Sequence, residues 1–428
     1  MPPTTGGRTP IAENLFYLGY AKQAQWGTAV APTQFVRWQD GTDVNADPKI
    51  AKEREGDSSP YITLIYKSGQ YWAIKIVQYV RPIGVGSSLQ ALLGSGSDTY
   101  TAPAQSTTLA AAVAAGATAI EVAAALGNTG TLAVNLTPGY SSAIYEVVTL
   151  DLTTESGTGP YTYTLANGTK TRNAHLLGDA VTSASTHVFT RQSRYDAYSL
   201  EYAFGDGVNQ PFQAIRLRDS VCTDITLTSA AGKPLKLEET WLAADSALEA
   251  ALASVVLEGS DVVGAAGGPL MHSQAQSQWL VDGASTGNAA MVKQFKLTLK
   301  NSTTWDEFQA ESIFTDYFIP GTFDVDGQAD VIFQSYEQYM ETYYGSSSPA
   351  PNATDSYLTG YGSIATTWIG DVVNSLGISL PNVAYTAAKM TPKRDSKPLM
   401  QSIVFSGAKL GSTIPFTATL NNSQNSQY

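Results

Sequence analysis

Alternation constrains this chain more than any other feature. Across 322–333, "TFDVDGQADVIF", Thr322, Asp324, Asp326, Gln328 and Asp330 fall on one side of an extended backbone and Phe323, Val325, Ala329, Val331 and Phe333 on the other. A period of two predicts a strand with one buried face and, here, one acidic face. On a helix the same residues would scatter apolar groups around the axis. The pattern returns at 292–300, where Lys293, Phe295, Leu297 and Leu299 alternate with Gln294, Lys296, Thr298 and Lys300. It returns again at 221–228, where Val221, Thr223, Ile225 and Leu227 oppose Cys222, Asp224, Thr226 and Thr228. "SAAGKP" then turns the chain into "LKLEETW", which predicts a hairpin. Further strands are expected at 61–67, 71–80, 194–204, 401–408 and 413–420. The fold class that follows is mainly β and antiparallel, with few short helices and an inserted small β module.

Two helices are expected. "SYEQYMETYY" at 335–344 puts Tyr336, Tyr339, Met340 and Tyr343 on one face, and a second helix is expected over 242–256. Between Tyr100 and Thr190 the texture changes to Ala, Thr, Gly and Ser with few charges. The organisation expected is a main domain in two parts, 1–103 and 190–428, interrupted by a β-rich module at 104–189. The stretches 46–59 and 345–356 read as polar, turn-rich loops.

Charge and residue types then narrow the function. The net charge of the 428 residues is −12, which opposes a grip on phosphate backbones because such a grip needs Lys and Arg. One cysteine, Cys222, rules out an internal disulfide framework. "MPPTTGGRTP" lacks the basic and apolar runs of a secretory leader, so export by that route is not expected. The Ala-rich stretch 107–126 contains Gly116 and Glu121 and is too weakly apolar to span a bilayer.

Catalytic patterns are sparse. "GASTG" places Ser285 in a nucleophile-elbow pattern, but an alternating strand follows where the elbow needs a helix. His175, His187 and His272 are the only histidines, and none stands at metal-ligand spacing. "DVDG" lacks the closing Glu of a calcium loop. Glu238 and Glu239 are strand neighbours and point to opposite faces, whereas Asp324 and Asp326 share a face roughly 6–7 Å apart, as on any strand. No catalytic residue, cofactor or metal is expected.

The segment "LGYAKQAQWGTAVAPTQFVRW" resembles the N-terminal signature of the major tail tube proteins of long-tailed bacteriophages, through Gly19, Lys22, Gly27, Thr28, Ala29, Val30, Ala31 and Pro32. Gln23 stands where that family often has Glu. Further pieces follow in the family's order: 87–97, 222–243, 292–305, 321–345, 377–386 and 412–422. The resemblance implies an antiparallel β-sandwich of the tail-tube fold, a non-enzymatic subunit that joins copies of itself into stacked rings, commonly hexameric, around a lumen. That lumen holds first the tape-measure protein and then DNA, which passes without specific binding. Tail terminator and baseplate proteins are the other implied partners, with no membrane partner. The implied location is the virion tail, after synthesis in the host cytoplasm. An acidic lumen would let DNA slide, and Asp324, Asp326 and Asp330 are the candidate lumen-facing residues. A loop near the N-terminus often reaches the next ring in that family, which nominates Lys49, Lys52, Glu53, Arg54 and Glu55. The competing readings are a carbohydrate-binding adhesin or surface-layer-like β protein, and a glycosidase on a β scaffold.

Overall fold

A computed structural model of the chain describes residues 16–32, 34–53, 64–137, 146–205, 213–249, 252–253, 268–270, 277–281, 292–303, 318–332, 337–345, 349, 361–371, 373–392, 398–424 and 426–428. The fold is mainly β and antiparallel. The strands begin with β1 (Phe16–Lys22), β2 (Gln34–Phe35), β3 (Asp43–Glu53), β4 (Leu64–Tyr79) and β5 (Asp98–Thr101). Six follow that form a separate sheet: β6 (Ser106–Thr108), β7 (Ala119–Val122), β8 (Thr131–Leu136), β9 (Glu146–Ser156), β10 (Tyr161–Leu165) and β11 (Ala180–Thr182). The remainder are β12 (Ser185–Phe189), β13 (Tyr198–Phe204), β14 (Gln213–Ala230), β15 (Lys236–Glu249), β16 (Ser277–Val281), β17 (Val292–Asn301), β18 (Phe323–Ile332), β19 (Tyr361–Ile369), β20 (Ser375–Thr391), β21 (Met400–Gly407) and β22 (Thr417–Asn422). The helices are α1 (Gly84–Leu93) and α2 (Glu337–Tyr344).

Sixteen strands make the main sheet. One continuous path runs β3, β4, β15, β14, β17, β18, β21, β20, β19, β16. Two long strands change neighbours midway and so start branches. The first half of β14 pairs with β13, which leads to β1 and β2, and its second half pairs with β17. A bulge between Cys222 and Asp224 marks the change. The first half of β20 pairs with β22, which leads to β12 and β5, and its second half pairs with β21. Pro381, which has no N–H to give, stands between these halves. Strands that switch sheets through bulges and bends are how an antiparallel sheet turns a corner.

The interior behind these corners is filled by α1, nine of whose ten residues are buried. A helix end in a dry core leaves carbonyls that need donors. Leu92 O accepts from Asn301 Nδ2 at 2.8 Å, and Leu93 O from Gln192 N–H at 2.7 Å and Arg191 Nη1 at 3.3 Å. The middle of the helix is tied to the sheet by Glu239. Its carboxylate, fully buried, accepts from Ser88 Oγ at 2.6 Å, Trp241 Nε1 at 2.8 Å and Gln78 Nε2 at 2.9 Å. Near the helix N-terminus a Cβ on Gly86 would lie 2.2 Å from a ring carbon of Tyr428, whose hydroxyl donates to Ile83 O at 2.7 Å.

Several sequence expectations change here. The 46–59 stretch, expected as a loop, is strand through Glu53, because β3 pairs along its length with β4. The 242–256 stretch is strand through Glu249, not helix, since β14 pairs β15 from Leu242 to Glu249. Val221 and Ile225 were expected on one face, but the bulge separates them. Cys222 joins Ile225 and Leu227 in the main core, while Val221 packs with Tyr195, Leu242 and Phe318. The separate sheet, with its own core around Leu150, Tyr163 and Val181, runs from Ser106 to Thr182. Ser185–Phe189, expected in the inserted module, pairs with β22 and β5 in the main sheet. Helix α1 was not foreseen, and α2 lies within the expected 335–344, whose first two residues fall outside the described residues.

Two measurements test this core. Gly86→Ala is expected to cost about 1–3 kcal/mol by overpacking against Tyr428, read from urea unfolding. In a Tyr428→Ala background the same change should cost less than about 0.5 kcal/mol, because the clashing ring is gone. Burial lifts the Glu239 carboxyl above its ordinary value near 4.5, against three hydrogen bonds that pull it down. The folded chain then holds this proton more tightly than the unfolded one. This residue's contribution is therefore most favourable below 4.5 and declines as pH rises toward the folded value. Glu239→Gln should fold and flatten that decline in the unfolding midpoint against pH; a variant that tracks the wild-type slope refutes the assignment.

Candidate functional site

The acidic strand predicted from alternation is β18, and it lies inside the sheet with β17 on one side and β21 on the other. Val325 and Ala329 face the core, so Asp324, Asp326, Gln328 and Asp330 face away from it. The antiparallel register carries this outward face across five strands. One row runs Glu238, Thr226, Thr298, Asp326 and Ser406, with Thr226 and Thr298 hydroxyls 3.1 Å apart and Ser406 donating to Asp326. The next rows run Thr240, Asp224, Lys300, Asp324 and Lys236, Thr228, Lys296, Gln328, Val404. Gln328 Nε2 reaches Asp330 Oδ1 at 3.1 Å and Ser402 Oγ at 2.9 Å.

Sequence reasoning saw the carboxylates of one strand and missed what stands opposite them. Lys300 faces Asp324 directly, and Lys296 faces Gln328. Lys236 and Lys75 hold Glu238 at 2.8 and 3.0 Å, and the hydrogen bond from Lys236 is the main reason that carboxyl sits below its ordinary range. Lys389 lies opposite Ser402. The face is therefore hydroxyl-rich and of mixed sign, not uniformly acidic. The signal was present in the polar half of 292–300, but only the strand register shows that it shares a face with β18.

The second candidate set lies on a ribbon. β15 covers β4 over Trp72–Tyr79, so from Tyr71 back to Leu64 the partner of β4 among the described residues is β3. Lys49, Lys52 and Glu53 stand on that part of β3, and Arg54 and Glu55 lie outside the described residues. Lys52 is opposite Ile65 and Ile50 opposite Lys67. Ile50 is 48% and Ile65 62% exposed. A two-stranded ribbon by itself is marginal in water and gains from a further surface to pack on.

Other reactive groups are accounted for by packing. His187 Nδ1 lies 2.9 Å from Asp98 and His175 Nε2 2.7 Å from Glu146, all buried and away from the polar face. Cys222 is buried, which pushes its thiol up. Glu239 points into the core and Glu238 out of it. Ser285 and His272 lie outside the described residues. Among the described residues no group of three His, Cys, Asp or Glu is placed to hold a metal, and no helix is long and apolar enough to cross a membrane. The residues of the opening segment have structural work: Gly27, at φ +82, donates its N–H to Asp219 at 2.7 Å, and Lys22 pairs with Asp196 at 2.8 Å. No family model matches the chain, and no curated protein matches it.

Proposed function

We propose that this chain is the structural subunit of a bacteriophage tail tube of the long non-contractile kind, without catalytic activity or cofactor. Copies of it join into stacked rings, commonly hexameric, around a lumen that conducts DNA. The observation that carries the reading is the β3–β4 ribbon, which extends past the sheet with isoleucines exposed and only one strand pairing each side. Such an arm suits a surface completed by a neighbouring subunit. The order of sequence resemblance along the chain supports the same reading, and so does a broad polar face of mixed charge across five strands.

In this reading the outward face of β18 lines the lumen. Asp324, Asp326 and Asp330 repel phosphate, while Lys296 and Lys300 keep the field weak, so that DNA neither sticks nor is strongly excluded. The tape-measure, terminator and baseplate proteins are the further partners, and the subunit resides in the virion after synthesis in the host.

Purified chain, viewed by negative-stain electron microscopy across a concentration series with a tail-initiation complex supplied, should form hollow tubes of uniform diameter. Deletion of 48–57 should leave folded, soluble subunits that do not polymerise; tubes from that deletion exclude the ribbon as the stacking contact. Absence of polymer from the intact chain, with binding to a glycan array, would replace the tube by the adhesin reading. Replacing Asp324, Asp326 and Asp330 together with Lys should slow DNA ejection in a salt-dependent way. Ejection at the wild-type rate would remove β18 from the lumen.

A further inference from the structure

Three described residues other than glycine adopt a positive φ: Thr137, Asn167 and Asp219. Asparagine and aspartate tolerate that region. A β-branched residue is crowded there and stays only where its surroundings hold it. Thr137, at φ +50, is held in this way. Leu136, buried just before it, is paired with Val181 of β11 and Glu146 of β9, and Thr137 N–H donates to Ala180 O at 2.9 Å.

The hydroxyl of this strained residue meets two acceptors. Oγ1 lies 2.8 Å from His175 Nδ1 and 2.8 Å from Asp179 Oδ2. His175 Nε2 lies 2.7 Å from Glu146 Oε1, and Glu146 Oε2 accepts Arg172 N–H at 2.7 Å. A carboxylate accepts and does not donate, so in the neutral imidazole Nε2 carries the proton and Nδ1 is left to accept from the Thr137 hydroxyl. Asp179, fixed by Leu176 N–H at 2.9 Å, is a second acceptor for the same proton. Hydroxyl, imidazole and orienting carboxylate thus stand in the order that activates a nucleophile. His175 and Glu146 are buried, whereas Thr137 is half-buried and open to water on one side.

The acyl group closest to any threonine hydroxyl is the carbonyl of the residue before it, reached through a five-membered ring of C, N, Cα, Cβ and Oγ1. We infer that Thr137 cuts the chain at its own Leu136–Thr137 bond, with His175 carrying the proton. Oγ1 attacks the Leu136 carbonyl carbon and its proton passes to His175 Nδ1. The C–N bond then breaks and the same proton goes to the leaving nitrogen, which leaves Leu136 esterified to Thr137 Oγ1. Water hydrolyses the ester to the Leu136 carboxylate and the free Thr137 hydroxyl. Scission also releases the φ of Thr137 from its strained value. Glu146 acts through His175 and is a positioning residue. The two pieces stay together, because β8 remains paired with β9 and β11 over a shared core. The reaction runs once per chain and alters no other molecule, so it stands apart from the tail-tube reading.

The test is to incubate the purified full chain near neutral pH, with and without hydroxylamine, and to weigh the denatured products by mass spectrometry over time. Fragments 1–136 and 137–428 should accumulate together, faster in hydroxylamine, which intercepts the ester. Hydroxylamine also attacks Asn-Gly bonds, and a cut at Asn167–Gly168 is told apart by its mass. Thr137→Ser should still cleave and Thr137→Ala should not, while His175→Ala should slow the cut about 100-fold or more. Glu146→Gln, which keeps an acceptor for Nε2, should slow it less than Glu146→Ala. A wild-type chain that stays intact at Leu136–Thr137 in hydroxylamine overturns the proposal without recourse to any variant. Scission there that persists in Thr137→Ala overturns it as well.

Discussion

A sheet that turns two corners encloses space that strand side chains do not fill, and in this chain α1 fills it. The consequences reach most of the fold. A helix in a dry interior cannot leave its end carbonyls to water, so each donor must come from the surrounding wall. Those donors are spread over the sequence: Asn301 closes β17, and Gln192 and Arg191 follow β12, while Glu239, mid-strand in β15, accepts from Ser88 in the middle of the helix. Displacing any one of these elements orphans a buried polar group. The buried carboxylate costs desolvation, and three neutral donors offset part of it. Apolar residues there could pack without specifying where the helix sits; the Ser88–Glu239 bond fixes its position along β15.

The corners also create the candidate site. Because β14 gives up β13 for β17 at its bulge, the strands beyond that point continue as an unbroken run to β21. Their outward residues then form one polar field on which lysines from β17 stand opposite carboxylates from β18. Cross-strand opposition of unlike charge favours this register over a slip, which would bring polar side chains to the core. The field is therefore part of what holds the sheet in order, as well as the surface offered to a partner.

What could be read from the sequence follows the strength of the local pattern. β17 and β18 were legible because burial on one face and polarity on the other imposed a strict period of two. β14 was half legible: alternation located it, but the bulge shifted Val221 and Cys222 between two cores, and nothing in a short pattern announces an extra residue. α1 was hidden because "GVGSSLQALL" begins with residues of poor helix propensity. Gly86 is retained for the approach of Tyr428 and Ser88 for Glu239, so tertiary demands overrode helix propensity at those positions. β3 was read as a loop because a ribbon with one neighbouring strand need not alternate. In the site, the carboxylates were legible and the opposing lysines were visible as polar residues, but their shared face required the register.

Edges decide how such a sheet meets copies of itself. Among the described residues β2, β5 and β16 are short, which limits the unpaired donors and acceptors they present. β3 is the long exception at eleven residues, and it contains Pro48, which removes one backbone donor, together with Lys49 and Lys52. Proline and lysine on an edge discourage indiscriminate strand addition. The isoleucines exposed on the same ribbon do the opposite, since they favour burial. An edge guarded in its backbone, with Ile50 and Ile65 set among Lys52 and Lys67 on one face, selects a partner that packs against that mixed face over one that extends the ladder, and that preference separates ordered association from aggregation.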